Sequence, residues 1–188
     1  MAGEEKFNNE GSAMRPILVV AVAVISLLLG VSIGFAAKYK GAGIEVIRGK
    51  SDKDAGYAAL TEAEHLANGG SWELIAVGRV YYLTGEKARG QALFDVVANG
   101  KAGGSDLERI ADVYAEAGEN DKASALYERM LAIEPKDDSS QALLGAWYMR
   151  IGQRERGEMF LGQALQRRPN ASDYYLRAAE SLLSVPAR

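Results

Sequence analysis

The sequence predicts an all-α protein: an N-terminal transmembrane helix followed by a solenoid of stacked helical hairpins. Three observations carry this expectation. A single uncharged stretch near the start is long enough to cross a bilayer. Small and aromatic residues recur at steps of 33 and 34 positions through the rest of the chain. Glycine and proline fall where helical hairpins must turn and stop.

The uncharged stretch runs from Pro16 to Ala37, 22 residues between Arg15 and Lys38. As a helix it reaches roughly 33 Å, enough for a ~30 Å hydrocarbon core. Thirteen of its residues are Ile, Leu, Val or Phe, which on an insertion scale total about −4 to −8 kcal/mol and outweigh its Ser and Gly residues. Pro16 suits a first helical turn, where a missing N–H leaves no bond unmade. A cleaved signal peptide is the competing reading, because Gly34-Phe35-Ala36 resembles a small-residue cleavage site. Signal cores run only about 7–15 apolar residues, which favours an uncleaved anchor. Ser26, Gly30 and Gly34 lie four apart on one helical face and would admit a second helix closely in lipid; the alternative is a span that packs on nothing.

Before the span stand Lys6 and Arg15; after it stand Lys38, Lys40, Arg48, Lys50 and Lys53. That excess favours a cytoplasmic C-terminal side, although long C-terminal domains cross membranes largely regardless of such charges, so a periplasmic side stays open.

The expected organisation is a polar tail (1–15), the transmembrane helix (16–37), a linker (38–51) and a helical repeat region (52–188). Within the last, Gly85, Gly118 and Gly152 are separated by 33 and 34 residues. The same steps join Tyr81, Tyr114 and Tyr148; Gly78, Ala111 and Gly145; Gly90, Ala123 and Gly157; Phe94, Tyr127 and Leu161; and Ala102, Pro135 and Pro169. In the middle copy, Leu107, Ile110, Ala111 and Tyr114 make an i, i+3, i+4, i+7 stripe. Gly118 turns the chain, Ala123, Tyr127, Met130 and Leu131 make a second stripe, and Pro135 ends it. Small residues at Gly78, Ala111 and Gly145 let the two helices of a hairpin approach.

These residues resemble the tetratricopeptide repeat (TPR) family: small residues at Ala111 and Ala123, aromatics at Tyr114 and Tyr127, and Pro135 at the end. The resemblance covers a half repeat at 52–70, full repeats at 71–103, 104–137 and 138–171, and a capping helix at 172–188. Gly56, Leu60 and Ala63 match a second helix with no first helix before it. Tyr175, Ala178, Ala179 and Leu182 match a first helix that can cap the array. Ala102 in place of proline, Leu161 in place of an aromatic and Gln141 in an apolar position depart from the pattern. The resemblance implies a right-handed solenoid whose concave side is lined by first helices. One hairpin cannot bury its apolar face, whereas a stack forms a continuous core.

Composition removes most chemistry. The chain has no cysteine and one histidine, His65, so thiolate sites, histidine-rich metal sites and histidine-based catalysis are not expected. The net charge of −3 divides unevenly: residues 51–138 carry nine Lys/Arg against seventeen Asp/Glu, while 139–188 carry seven against four. No basic stripe suggests nucleic acid. Residues 44–51 end like a phosphate-binding loop, but the required glycine falls at Ile44 and no strand precedes it, so no nucleotide site is expected. Neither a catalytic residue nor a metal or cofactor is predicted.

What remains is binding. Projecting first helices onto the expected concave wall brings up Trp72, Ile75, Arg79, Tyr82, Glu108, Arg109, Asp112, Leu143, Met149, Arg150 and Arg177. Trp, Tyr and Arg dominate interface energetics, so this wall suits a protein segment; the alternative is that Trp72 and Tyr82 belong to the core between hairpins. The expectation is a non-enzymatic, membrane-anchored TPR adaptor or scaffold at a bacterial inner membrane, with protein partners that are themselves membrane-bound. A permanent accessory subunit of a membrane complex, held by its transmembrane helix, is the alternative.

Overall fold

A computed structural model describes residues 40–185. The polar tail, the 16–37 span and its Ser26/Gly30/Gly34 face lie outside the described residues. By backbone proximity the chain divides into Met1–Lys40 and Gly41–Arg188, and every described helix belongs to the second unit. Among the described residues, no helix is long and apolar enough to cross a membrane.

A single 3-10 turn, Gly43–Val46, precedes eight α-helices, and no strand occurs among the described residues. The helices are α1 (Asp52–Ala67), α2 (Ser71–Leu83), α3 (Lys87–Ala98) and α4 (Gly104–Glu116). They continue as α5 (Asn120–Ile133), α6 (Asp138–Arg150), α7 (Arg154–Arg167) and α8 (Ser172–Leu182). First helices begin at Ser71, Gly104, Asp138 and Ser172, steps of 33, 34 and 34 residues. Helices α2/α3, α4/α5 and α6/α7 pack as hairpins, and α1 packs on α2. The all-α hairpin repeat expected from the sequence is therefore the architecture of this region.

Local chemistry sets the helix ends. Ser51 opens α1 by accepting a hydrogen bond from the Asp54 N–H at 3.2 Å, and Asp137 opens α6 by accepting from the Ser140 N–H at 2.7 Å. Both satisfy an orphan donor of a first helical turn. The three hairpin turns carry Gly85, Gly118 and Gly152 at φ of +103°, +75° and +82°, a region that side chains disfavour. In the described part of the expected linker, 40–51, a 3-10 turn lies against α1, and the Ala42 N–H donates to Glu62 Oε1 at 2.7 Å.

Hairpin closeness differs between copies. In the first, a Cβ at Gly90 would stand 2.6 Å from the Gly78 carbonyl oxygen; in the third, a Cβ at Gly157 would stand 2.7 Å from that of Gly145. The middle copy uses Ala111 and Ala123, both fully buried. Between the first two copies Tyr82, Phe94 and Tyr114 form a ring cluster with centroids 5.5–5.8 Å apart, each such contact worth about 0.5–1.5 kcal/mol beyond its area.

The departures from the repeat pattern are resolved by neighbours. Gln141 is 4% exposed, yet its Nε2 donates to the Pro135 carbonyl and its Oε1 accepts from Arg167, both at 2.9 Å. Where the aromatic is replaced by Leu161, Phe160 next to it stacks on Tyr148 at 5.8 Å. In α8 the buried side chains are Tyr174, Ala178 and Ser181, while Tyr175 and Leu182 are exposed. Of the residues that match a first helix, Ala178 is buried, whereas Tyr175 and Leu182 are open because no second helix follows among the described residues to cover them.

Candidate functional site

The first helices α2, α4, α6 and α8 carry the expected wall, and the structure sorts its eleven residues into three groups. Ile75, Tyr82 and Met149 are buried. Tyr82 and Met149 face the second helix of their own hairpin, where Gly90 and Gly157 are pressed against them, and Ile75 belongs to the buried apolar cluster. These three are core residues, and their reading as open wall is corrected on that ground.

A second group stitches copies together. The Arg109 guanidinium sits 3.5 Å from the Trp72 ring centroid. Arg79 forms a two-pronged ion pair with Glu116, its Nε 2.8 Å from Oε2. Tyr82 also belongs here through its hydroxyl, which donates to Glu119 at 2.7 Å while Lys87 and Lys122 flank the same carboxylate at 2.6 and 2.7 Å. Those partners hold the Glu119 carboxyl down at about 2. Trp72 remains 54% exposed, so one face of its ring still meets solvent. Arg150 is drawn to the C-terminal end, donating to the Val185 carbonyl at 2.9 Å.

Glu108, Asp112, Leu143 and Arg177 form the third group. Glu108, Leu143 and Arg177 line a cavity of about 280 Å³ together with Gly104, Ser105, Met130, Ile133, Glu134, Asp137, Ser139 and Ser140. Beside it Asp112 accepts a 2.5 Å hydrogen bond from the Tyr127 hydroxyl. Crowding by protein raises the pKa of Glu108, with the Asp112 charge adding to the effect. Crowding also raises that of Asp112, against the pull of Tyr127, Arg177, Arg109 and Arg150. Asp112 is open to solvent, but protein packed around it displaces part of its water, and desolvation disfavours the charged form. Arg177 acts on these carboxylates through space and takes part in none of the close ion pairs seen among the described residues.

The cavity has a local cause. Helix α2 meets α4, and α6 meets α8, but no Cα of α4 lies within 8 Å of a Cα of α6. The first junction is filled by Trp72, and the last by Tyr174, whose hydroxyl lies 3.4 Å from Ser139 Oγ. At the middle junction, the repeat positions of Trp72 and Arg109 are Ser105 and Leu143. Small side chains leave the space open. Of the residues projected onto the wall, Glu108, Leu143 and Arg177 line this cavity; Ile133, Glu134 and Asp137, which also line it, were not among them. These lie at the end of α5 and in the following loop, outside a projection restricted to first helices.

Among the described residues no group of three or more His, Asp or Glu side chains is placed to hold a metal ion. His65 is an exposed residue in the last turn of α1. Gly49 and Ser51 of the loop-like 44–51 stretch precede α1 directly, and among the described residues no strand comes before them.

No protein-family model matches the chain, and no curated protein matches it. Among solved structures it is similar to the crystal structure of MamA, with 12% sequence identity over 70% of this chain and 80% of that chain, at a TM-score of 0.49.

Proposed function

We propose that this chain is a non-enzymatic protein-binding scaffold whose concave wall receives a polypeptide segment, and that residues 16–37 anchor it in a bacterial inner membrane. The observation that carries the reading is the open middle junction. Ile133 and Leu143 offer apolar surface there, and Glu108, Glu134 and Arg177 surround it without being tied into close ion pairs. Burial of apolar side chains supplies affinity, and charges at the rim choose the partner. An anchor would confine the wall to the bilayer surface and raise its effective concentration towards membrane-bound partners. The basic flank after the span favours a cytoplasmic wall.

The test compares the full-length chain with Leu143→Asp and Arg177→Glu after purification from native membranes in mild detergent. Loss of a co-purifying protein at normal helical content is the expected result. Recovery of the same partner by both variants excludes this junction. Alkaline extraction of the membranes tests the anchor separately: a chain released entirely into the soluble fraction refutes it.

A further inference from the structure

Each tight hairpin covers a particular stripe of its first helix with its own second helix. In α2 the stripe is Ile75, Gly78 and Tyr82, and in α6 it is Ala142, Gly145 and Met149; all six are buried. One period on, α8 presents Leu176 and Ala179, and Leu183 directly follows the helix. Leu176 is 59% exposed and Leu183 is 75% exposed, because among the described residues no second helix follows.

The opposite end is the complement. Helix α1 has the register of a second helix, with Gly56 one period before Gly90 and Leu60 one period before Phe94. Gly90 is jammed against Gly78 and Tyr82, and Gly157 against Gly145 and Met149, each with atoms inside 3 Å of an added Cβ. Gly56 has nothing within 4 Å. Ala59, one turn further along α1, is exposed as well. Among the described residues, then, α8 has no second helix on it and α1 has no first helix before it.

We infer that α1 of a second copy of this chain packs on α8, so that Gly56 seats over Ala179 and the hairpin array continues from copy to copy. The occupant follows from continuity with the three hairpins inside the chain, which repeat the same small-residue contact. The contact uses two different patches, so it is head-to-tail and leaves an open α1 and an open α8 at the ends of each assembly. This inference is independent of the segment-binding role of the middle junction.

Sedimentation of the full-length chain in mild detergent across a concentration series provides the test. Leu176→Glu with Leu183→Glu spoils the α8 patch, and Gly56→Glu spoils the α1 patch; all three positions are exposed, so melting should be little changed. Wild type should form species beyond the dimer as concentration rises. Each variant alone should associate at least tenfold more weakly. A mixture of the two variants should give one-to-one dimers and stop there, because each retains the patch the other needs. Association that survives both variants, as pairing through the transmembrane span would, overturns the inference. So does a wild type that stays monomeric, or a mixture that forms no dimer.

Discussion

Helix α7 contains two glycines whose replacement by alanine should move stability in opposite directions. At Gly157 an added Cβ falls 2.7 Å from the Gly145 carbonyl oxygen and 3.0 Å from the Met149 N–H nitrogen, both backbone atoms that cannot swing away. The hairpin must open by roughly 0.5–1 Å, which forfeits a quarter to a half of each dispersion contact along the seam. Overpacking of this kind costs about 1–3 kcal/mol. Alanine returns about 1 kcal/mol of helix propensity, so Gly157→Ala should destabilise by up to about 2 kcal/mol net. At Gly162 nothing lies within 4 Å of the added Cβ, and Gly162→Ala should stabilise by up to about 1 kcal/mol. Thermal unfolding by far-UV circular dichroism should show the two melting points on opposite sides of wild type, each shifted by roughly 2–5 °C. Two variants that both raise the melting point would refute the close approach of α6 and α7.

Three further outcomes concern single contacts. Glu119→Gln removes the carboxylate shared by Lys87, Lys122 and Tyr82 and should cost about 1 kcal/mol, the scale for a solvent-facing ion-pair cluster. Since its folded pKa is about 2 against an ordinary 4.5, that stabilisation is complete above the ordinary value and lost as pH falls from there towards 2. A denaturant titration series in acid should show the wild-type advantage over Glu119→Gln vanish in that window. Ser124→Ala strands the Trp147 indole N–H, which donates to Ser124 Oγ at 2.9 Å; a loss of about 1–3 kcal/mol is expected in chemical denaturation. Ser51→Ala removes the cap of α1 and should fray that helix by about 1 kcal/mol, visible as faster amide exchange at Asp54 and its neighbours.

Periodicity made the hairpins legible, because spacing of small and aromatic residues directly encodes which helix faces meet. The positions of Gly78, Gly90, Gly145 and Gly157 were readable as close approaches for the same reason. The wall was less legible. A helical projection places Tyr82 and Met149 on a face, but cannot tell whether the neighbouring second helix already covers that face. Nor does it show that Arg79 and Arg109 are engaged by Glu116 and Trp72, since those pairings span 37 residues and depend on the stagger between copies. In α8 the apolar pattern does not by itself show that Tyr175 and Leu182 stay open, because burial depends on a neighbouring helix, and none follows among the described residues.

The middle junction allows a direct test of why the wall opens where it does. Trp72 in α2 reaches Arg109 in α4 and closes the first junction; the corresponding positions at the second are Ser105 and Leu143. If side-chain size alone holds the junction open, Ser105→Trp with Leu143→Arg should recreate the cation–π contact, fill part of the 280 Å³ cavity and draw α4 towards α6. The added contact should stabilise by about 0.5–1 kcal/mol at an exposed site, and the guanidinium would also meet Glu108 and Asp137 at the cavity. Segment binding at this junction should be lost while stability rises, a combination that separates recognition from folding. A double variant that is less stable than wild type would mean that the gap is imposed elsewhere, by the Glu134–Asp137 loop that sets where α6 begins.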